Sequence, residues 1–240
     1  MAEVTAKHSN KVNRLRFIHD GLDGLRRNIR RSAVTLAGLV AVLTPLAALA
    51  ADWPYTPANR WQAIAEMQTL NAEILGSKSA TFSLEHWCEA HHLADSPRLI
   101  ADLVTDAQIK PVSAEQRQRL GLSDTEPVKY RRVRLRCGDH VLSEADNWYV
   151  PSRLTPEMNH TLETTDVPFG RAIKDLAPYR LTFEAKVLWT PSAKPEGVTL
   201  AIGQELFEHR AVLYRSADHL PFSEVDEHYQ AAILDFPPAE

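Results

Sequence analysis

Two charged side chains that lie on predicted strands, Arg131 and Glu227, have the clearest capacity for chemistry in this sequence. The strand at 131–137 alternates an apolar face, Val133, Leu135 and Cys137, with a basic face, Arg132, Arg134 and Arg136. The apolar face extends back to Arg131, which therefore points inward. In the run at 222–234, Glu227 shares its face with Ser223, Val225 and Tyr229, so it is an inward carboxylate.

An inward charge requires a counter-charge, because burying an unpaired charge costs several kcal/mol. Two hypotheses follow from Arg131 and Glu227. Either they neutralise each other as a structural ion pair, or they face a pocket in which the arginine meets the anionic group of a ligand.

The elements that would position these residues predict an α+β fold. Residues 130–151 form a hairpin around Gly138, and three alternating strands follow at 179–189, 206–214 and 222–234. Helices are predicted at 57–75, through Leu84 and Trp87, and after a Thr155 cap with Pro156 in the first turn. We expect one antiparallel sheet with helices packed on it and loops that close a pocket.

Two further features concern the helices. The near-helical spacing of Trp61, Ile64, Met67 and Leu70 predicts the first helix. Pro168 and Gly170 bracket a turn that would leave backbone amides free at the start of a helix, which is a natural place to hold a carboxylate.

Histidines and cysteines add little chemistry of their own. His86, His91 and His92 with Glu89 do not have the spacing of a known zinc motif, so neither a metal nor a cofactor is predicted. The sole cysteines, Cys88 and Cys137, either form a disulfide or are two small buried hydrophobic residues. The place of Cys137 on an apolar strand face favours the second interpretation.

Residues 1–50 have the pattern of an export signal. A basic stretch is followed by the apolar run 32–46 and by Ala48, Leu49 and Ala50, so cleavage is expected after Ala50. Residues 51–240 would then be one domain in the periplasm or outside the cell. The alternative is an uncleaved segment that anchors the chain to a membrane.

The charge balance excludes some partners. The whole chain has net charge −4, and the predicted signal holds a disproportionate share of its lysines and arginines, so the remainder is more acidic still. Nucleic acid and anionic lipid both require a broad basic surface. We therefore expect no nucleic-acid partner, and a membrane partner only if the signal is uncleaved.

The order of the motifs resembles that of the chorismate pyruvate-lyase family and of its fold relatives, the UTRA ligand-binding domains of bacterial regulators. The resemblance covers about 61–234. It depends on Ser79-Ala80-Thr81, on the Arg131-x-Val133-x-Leu135 strand, on 167–171 and on Glu227 with the two residues after it. Counting back from Pro151 without gaps would select Arg132 as the family arginine, but Arg134 and Arg136 would then point inward as well.

The resemblance implies a role for each matching residue. Arg131 would bind the substrate or product carboxylate, Glu227 would meet a ring hydroxyl, and the backbone amides of Ala80 and Phe169, beside Gly170, would hold the carboxylate. The ligand would be a small aromatic or cyclic carboxylate. One hypothesis is a cofactor-independent lyase that converts chorismate to 4-hydroxybenzoate and pyruvate; the other is an exported domain that binds or senses a small carboxylate without turnover.

Overall fold

The computed structural model describes residues 52–239. Five helices and six strands are formed. In chain order they are α1 (Pro57–Gly76), α2 (Ala80–Ala90), β1 (Ile100–Leu103), α3 (Ala114–Arg119), β2 (Lys129–Cys137), β3 (His140–Tyr149), α4 (Pro156–Thr164), α5 (Phe169–Ala172), β4 (Tyr179–Val187), β5 (Glu205–Tyr214) and β6 (Pro221–Gln230). Short 3-10 turns lie at Pro151–Arg153, Lys174–Leu176 and Ala231–Leu234.

All six strands form one antiparallel sheet in the order β1-β2-β3-β6-β5-β4. The predicted α+β class is confirmed. One hydrophobic cluster packs α1 and α2 on the sheet and includes Met67, Leu84 and Leu135. A second cluster packs α4 and α5 on it and includes Leu162 and Phe169. The inner face of the sheet is thus covered by two separate groups of helices.

The hairpin of β2 and β3 forms as predicted, with Gly138 in the left-handed region at φ 54°. A Cβ at this glycine would lie 2.8 Å from the Cβ of Ala94, so a larger residue is excluded by space as well as by backbone conformation. Arg131 is buried, and Arg132 on the other face contacts Glu144 at 2.7 Å. The choice of Arg131 as the inward arginine is confirmed.

The near-helical spacing correctly predicts helix α1 but does not mark its buried face. Trp61 is 61% exposed, and the buried positions are Ala63, Met67, Leu70 and Ile74. Each step of three residues falls about 60° short of a full helical turn. Over the three steps from Trp61 to Leu70 the shortfall therefore reaches about half a turn, and the tryptophan lies on the solvent side, where the guanidinium of Arg60 stacks over its ring.

Helix α4 begins as its sequence indicates. The hydroxyl of Thr155 accepts a hydrogen bond from the backbone N–H of Met158 at 3.2 Å, and Pro156 occupies the first turn. Met158 and Leu162 are buried as predicted. A capped start therefore fixes which face of this short helix packs on the sheet.

Cys88 and Cys137 form a disulfide, which corrects the preference for two unlinked cysteines. Their Cα atoms are 6.4 Å apart, and both residues are fully buried. The apolar face of β2 brings Cys137 beneath α2, so the burial that favoured the unlinked interpretation also brings the two sulfurs together. The bond ties the second half of α2 to the end of β2.

The predicted signal peptide lies outside the described residues. Among residues 52–239, no helix has the length and apolar character needed to cross a bilayer.

The disulfide is expected to stabilise the fold substantially. It joins residues separated by 49 positions, and loop closure of that length contributes about 4 kcal/mol in the chain-entropy account. Replacing both cysteines with alanine should lower the free energy of unfolding by about that amount, measured by urea denaturation. Non-reducing mass spectrometry should find the native chain lighter by two hydrogens; a native mass with both thiols present would contradict the pairing.

Candidate functional site

A pocket lies on the inner face of the sheet where the two hydrophobic clusters meet. Its floor follows two adjacent rows of paired residues. One row runs through Arg131, Asn147 and Val225, and the next through Val133, Ala145 and Glu227. The empty volume of the pocket, including its open mouth, is about 580 Å³. The centre of a water molecule can occupy only about 50 Å³ of it. The cavity is therefore narrow and suited to a small ligand.

All five residues predicted for the site line this pocket: Arg131, Glu227, Ala80, Phe169 and Gly170. They come from four different elements of the chain: β2, β6, α2 and, for both Phe169 and Gly170, the start of α5. The structure thus brings them together. The roles that the resemblance implies for them stay predictions.

Arg131 is a buried cation without a carboxylate partner among the described residues. It is 6% exposed, and its guanidinium makes one long hydrogen bond, from Nη2 to the backbone oxygen of Val167 at 3.3 Å. Its Nε is buried with no acceptor. Burial lowers the pKa of Arg131 to about 10, and the hydroxyl of Tyr149 is the group whose charge opposes that shift. The side chain is still a cation at neutral pH.

Glu227 is neutralised by Arg180 and not by Arg131. Arg180 donates from Nη2 to Oε2 of Glu227 at 2.8 Å, and the hydroxyl of Tyr229 donates to the same oxygen at 3.0 Å. The hypothesis that Arg131 and Glu227 form an ion pair is therefore wrong. The reason is positional: β3 lies between β2 and β6, and two strand spacings separate the backbones by about 10 Å.

Burial around this pair perturbs its neighbours. Tyr229 is fully buried, and desolvation, followed by the charge of Glu227, raises its pKa well above the usual value. His209, the residue paired with Glu227 on β5, is also fully buried, and desolvation lowers its pKa to about 4. This histidine is therefore neutral at pH 7, and its Nε2 lies 2.7 Å from Oδ1 of Asn71. It adds no positive charge to the pocket.

The first turn of α2 forms part of the roof. Ser79, Ala80 and Thr81 line the cavity, and Ser79 does not cap the helix with its side chain. The Oγ of Ser79 is buried without a hydrogen-bond partner. Because the first N–H groups of a helix have no acceptor within it, this end of α2 presents free donors and positive potential to the cavity.

Gly170 allows α5 to approach that turn closely. A Cβ at Gly170 would lie 2.6 Å from Oγ of Ser79 and 2.7 Å from Oγ1 of Thr81, both far below normal contact. The next residue, Arg171, donates to both carboxylate oxygens of Glu85 on α2, at 2.6 and 2.5 Å. The glycine and the ion pair together hold the two halves of the roof against each other.

Three polar or charged residues of the pocket lining were not predicted from the sequence. Arg180 on β4 is the partner of Glu227, Asn147 lies beside Arg131 in the same row, and Lys78 lies at the exposed mouth. The Oδ1 of Asn147 accepts a hydrogen bond from the hydroxyl of Ser223 at 2.6 Å. Its place opposite Arg131 in the hairpin is the one sequence signal that could have indicated it.

The histidines weighed as metal ligands have other contacts. His86 lies 3.3 Å from Glu73, and the ring of His91 stacks on Phe236 with centroids 4.0 Å apart. On the outer face of the sheet, oxygen and nitrogen atoms of Glu208, Asp226 and His228 lie within 4.8 Å of one another. Lysine and arginine side chains, Lys186 and Arg210, already contact those two acidic groups.

Comparison of the sequence with known proteins identifies a relative. No family model matches the chain. It is 46% identical over 198 residues to "Uncharacterized protein y4mC" of Sinorhizobium fredii, covering 78% of this chain and 82% of that protein. The chain belongs to the same family as y4mC. The name of that relative carries no activity that could be transferred.

Similar solved structures include two of PhnF and one of a domain from a putative GntR-family regulator. PhnF from Mycobacterium smegmatis is 12% identical with a TM-score of 0.44, covering 79% of this chain and 93% of that chain. The effector domain of the same PhnF is 14% identical with a TM-score of 0.43, covering 69% and 97%. The ligand-binding domain of a putative GntR-family regulator from Bordetella bronchiseptica is 18% identical with a TM-score of 0.38, covering 56% and 83%.

None of these three structures is named as a chorismate pyruvate-lyase, and that assignment is not confirmed. At these TM-scores they contribute nothing to the functional argument. That argument depends on the pocket.

Replacing Arg131 and replacing Arg180 should have opposite effects on stability, because only Arg180 has a charged partner among the described residues. Arg131→Met removes a buried charge that has no counter-charge, so the free energy of unfolding should stay unchanged or rise. Arg180→Met leaves Glu227 buried and unpaired and should lower it by about 3 to 5 kcal/mol, most of which the double variant Arg180→Met/Glu227→Gln should recover. Urea denaturation of the three variants measures this; an equal loss for Arg131→Met would show that Arg131 has a structural partner.

Proposed function

We propose that this chain binds a small carboxylate in the pocket around Arg131, as a binding or sensing domain. The observation that supports this proposal is the burial of Arg131 without a counter-charge among the described residues. An unpaired buried cation costs several kcal/mol. A ligand anion that pairs with the guanidinium would recover much of that cost, so binding would be favoured by the protein's own electrostatics.

The charge inventory of the pocket supports an anionic ligand. Arg131 and Arg180 face a single carboxylate, Glu227, which leaves one excess positive charge inside the cavity. The exposed Lys78 adds a positive charge at the mouth. The uncapped end of α2 adds the partial positive charge of a helix N-terminus. A neutral or cationic ligand would meet the same sites unfavourably.

The rest of the lining supports a ligand with an apolar body. Val133, Leu135, Ala145 and Val225 form most of the floor, and Phe169 is part of the opposite wall. A planar guanidinium pairs with a carboxylate through two parallel hydrogen bonds, a geometry that also gives orientation. A small ring with one carboxylate combines both requirements, and its apolar part would contact the floor.

A second candidate function is the carbon-oxygen lyase that the sequence resembles, with chorismate as substrate. The observation that favours it is the presence of Arg131 and Glu227 on one cavity wall, two strands apart. Both side-chain contacts of Glu227 are made through Oε2. In this hypothesis the other oxygen, Oε1, would accept a hydrogen bond from a hydroxyl group of the ligand. Binding without turnover is the simpler proposal, since Glu227 already serves as the counter-charge of Arg180.

Ligand binding should depend on Arg131 in a specific way. We expect 4-hydroxybenzoate to bind the protein in calorimetric titration, and the uncharged 4-hydroxybenzamide not to bind. Arg131→Met should weaken binding about 100-fold, the loss of two charge-assisted hydrogen bonds, and Arg131→Lys should fail similarly because an ammonium cannot replace the planar fork.

Arg134→Met is the matched control, because Arg134 lies on the same strand but is exposed on the other face. It should leave affinity unchanged. Equal binding of the acid and the amide would contradict the anion site. Incubation with chorismate separates the two candidates: release of 4-hydroxybenzoate and pyruvate that is lost in Arg131→Met would support the lyase, and unchanged chorismate would support binding alone.

We also propose that the domain is exported. The pattern at Ala48 to Ala50 supports cleavage before Ala51, and the disulfide of Cys88 and Cys137 suits an oxidising compartment. Amino-terminal sequencing of the protein from the periplasmic fraction should begin at Ala51. Protein that retains Met1 in the cytosol would contradict export, and membrane-bound protein that retains residues 1–50 would support the anchored alternative.

A further inference from the structure

The two edges of the sheet are treated differently. Strand β1 has four residues, and the N–H of Ala101 donates to the backbone oxygen of Asp166 at 2.8 Å, so that edge is short and partly covered. Strand β4 has nine residues and, within residues 52–239, pairs with β5 alone. A long free edge presents a row of unpaired backbone donors and acceptors, which is a template for another strand.

Exposed apolar side chains gather along this free edge. Leu181 is 55% exposed, Phe183 44%, Val187 47% and Leu188 43%. They lie on both faces of the strand, because the bulge between Thr182 and Glu184 shifts the alternation. Isolated exposed apolar residues are common on proteins, but three on one edge strand and a fourth directly after it indicate a surface that is covered by another chain.

We propose that β4 pairs antiparallel with β4 of a second copy of this chain, about a two-fold axis at Ala185. The two sheets then form one continuous sheet twice as wide. An antiparallel pairing of identical strands is the arrangement that a two-fold dimer requires, since each residue contacts its symmetry-related position. Ala185 is exposed and small, so the two strands can approach there.

Charge complementarity selects this register. Glu184 and Lys186 point to the outer face, where they contact each other and where Glu184 also binds Arg210 at 3.1 Å. In a pairing centred on Ala185, Glu184 of each copy lies opposite Lys186 of the other. A lysine on an edge strand normally discourages pairing. Here each lysine meets a carboxylate, so the charges favour this dimer and disfavour a shifted one.

Cysteine cross-linking tests the register directly. Directly opposed residues in an antiparallel pair have Cβ atoms close enough for a disulfide. Ala185→Cys in the full chain should form a covalent dimer on mild oxidation, seen on non-reducing gels. Leu181→Cys, on the same strand, lies opposite residue 189 in this register and should not cross-link, and neither should Val198→Cys, an 88% exposed position away from the strand.

Analytical ultracentrifugation tests the charges. Lys186→Glu should weaken dimerisation tenfold or more, since it places two carboxylates opposite each other, and the swap Glu184→Lys/Lys186→Glu should restore it. A native chain that stays monomeric at high concentration would overturn the proposal. Cross-linking at 198 but not at 185 would do the same. So would a monomer in which the β4 amides that do not bond to β5 resist hydrogen exchange, because another part of the same chain would then cover the edge.

Discussion

The burial of one positive charge is the constraint around which this structure is arranged. Arg131 lies on the covered inner face of the sheet because its strand carries apolar residues on the same face, and those residues must be covered by helices. The helices exclude water from the guanidinium of Arg131, which makes one long hydrogen bond in return, to the backbone oxygen of Val167. Other buried arginines of the domain are not left in this state: Arg153 donates to three backbone oxygens and to Glu126.

The contrast between these arginines separates scaffold from site. Arg153 joins loops and has its donors satisfied by the protein, as a structural arginine should. Arg180 and Glu227 satisfy each other. Arg131 is the exception, and it lies at the cavity where the two hydrophobic clusters meet. An unsatisfied cation beside an empty space is what a preorganised anion site looks like before its ligand arrives.

Much of this arrangement could be predicted from the sequence, for identifiable reasons. The β2–β3 hairpin and α4 follow from alternation, turn glycine and capping, which are local signals. The inward orientation of Arg131 follows because the alternative, an inward Arg132, would bury the charges of Arg134 and Arg136 as well. Arg180 could not be found in this way, because Leu181 and Phe183 beside it suggest that the apolar face points inward. On an edge strand they point outward, and only the strand order reveals that β4 is at the edge.

The partner of Glu227 was missed for a related reason. Two inward charges of opposite sign suggest a pair when nothing is known of strand order, but β3 lies between their strands. In α1 the spacing predicts the helix but not its buried face, because a spacing of three residues drifts around the helix and places Trp61 on the side opposite Leu70. Which charges pair depends on the order of strands in the assembled sheet, and which helix face is buried depends on a spacing followed over several turns. Short sequence windows contain neither kind of information.

The position of the disulfide has a mechanical consequence. Cys88 lies about 12 Å along α2 from Ala80, whose end of the helix forms the pocket roof. The bond to Cys137 holds the far end of the helix on the sheet, whereas no covalent link holds the near end. Between the two ends, Glu85 accepts hydrogen bonds from Arg171 and from the backbone N–H of Leu99. Any widening of the roof would therefore have to move the Ala80 end of α2 relative to Cys88, while the hydrophobic cluster around the disulfide stays packed.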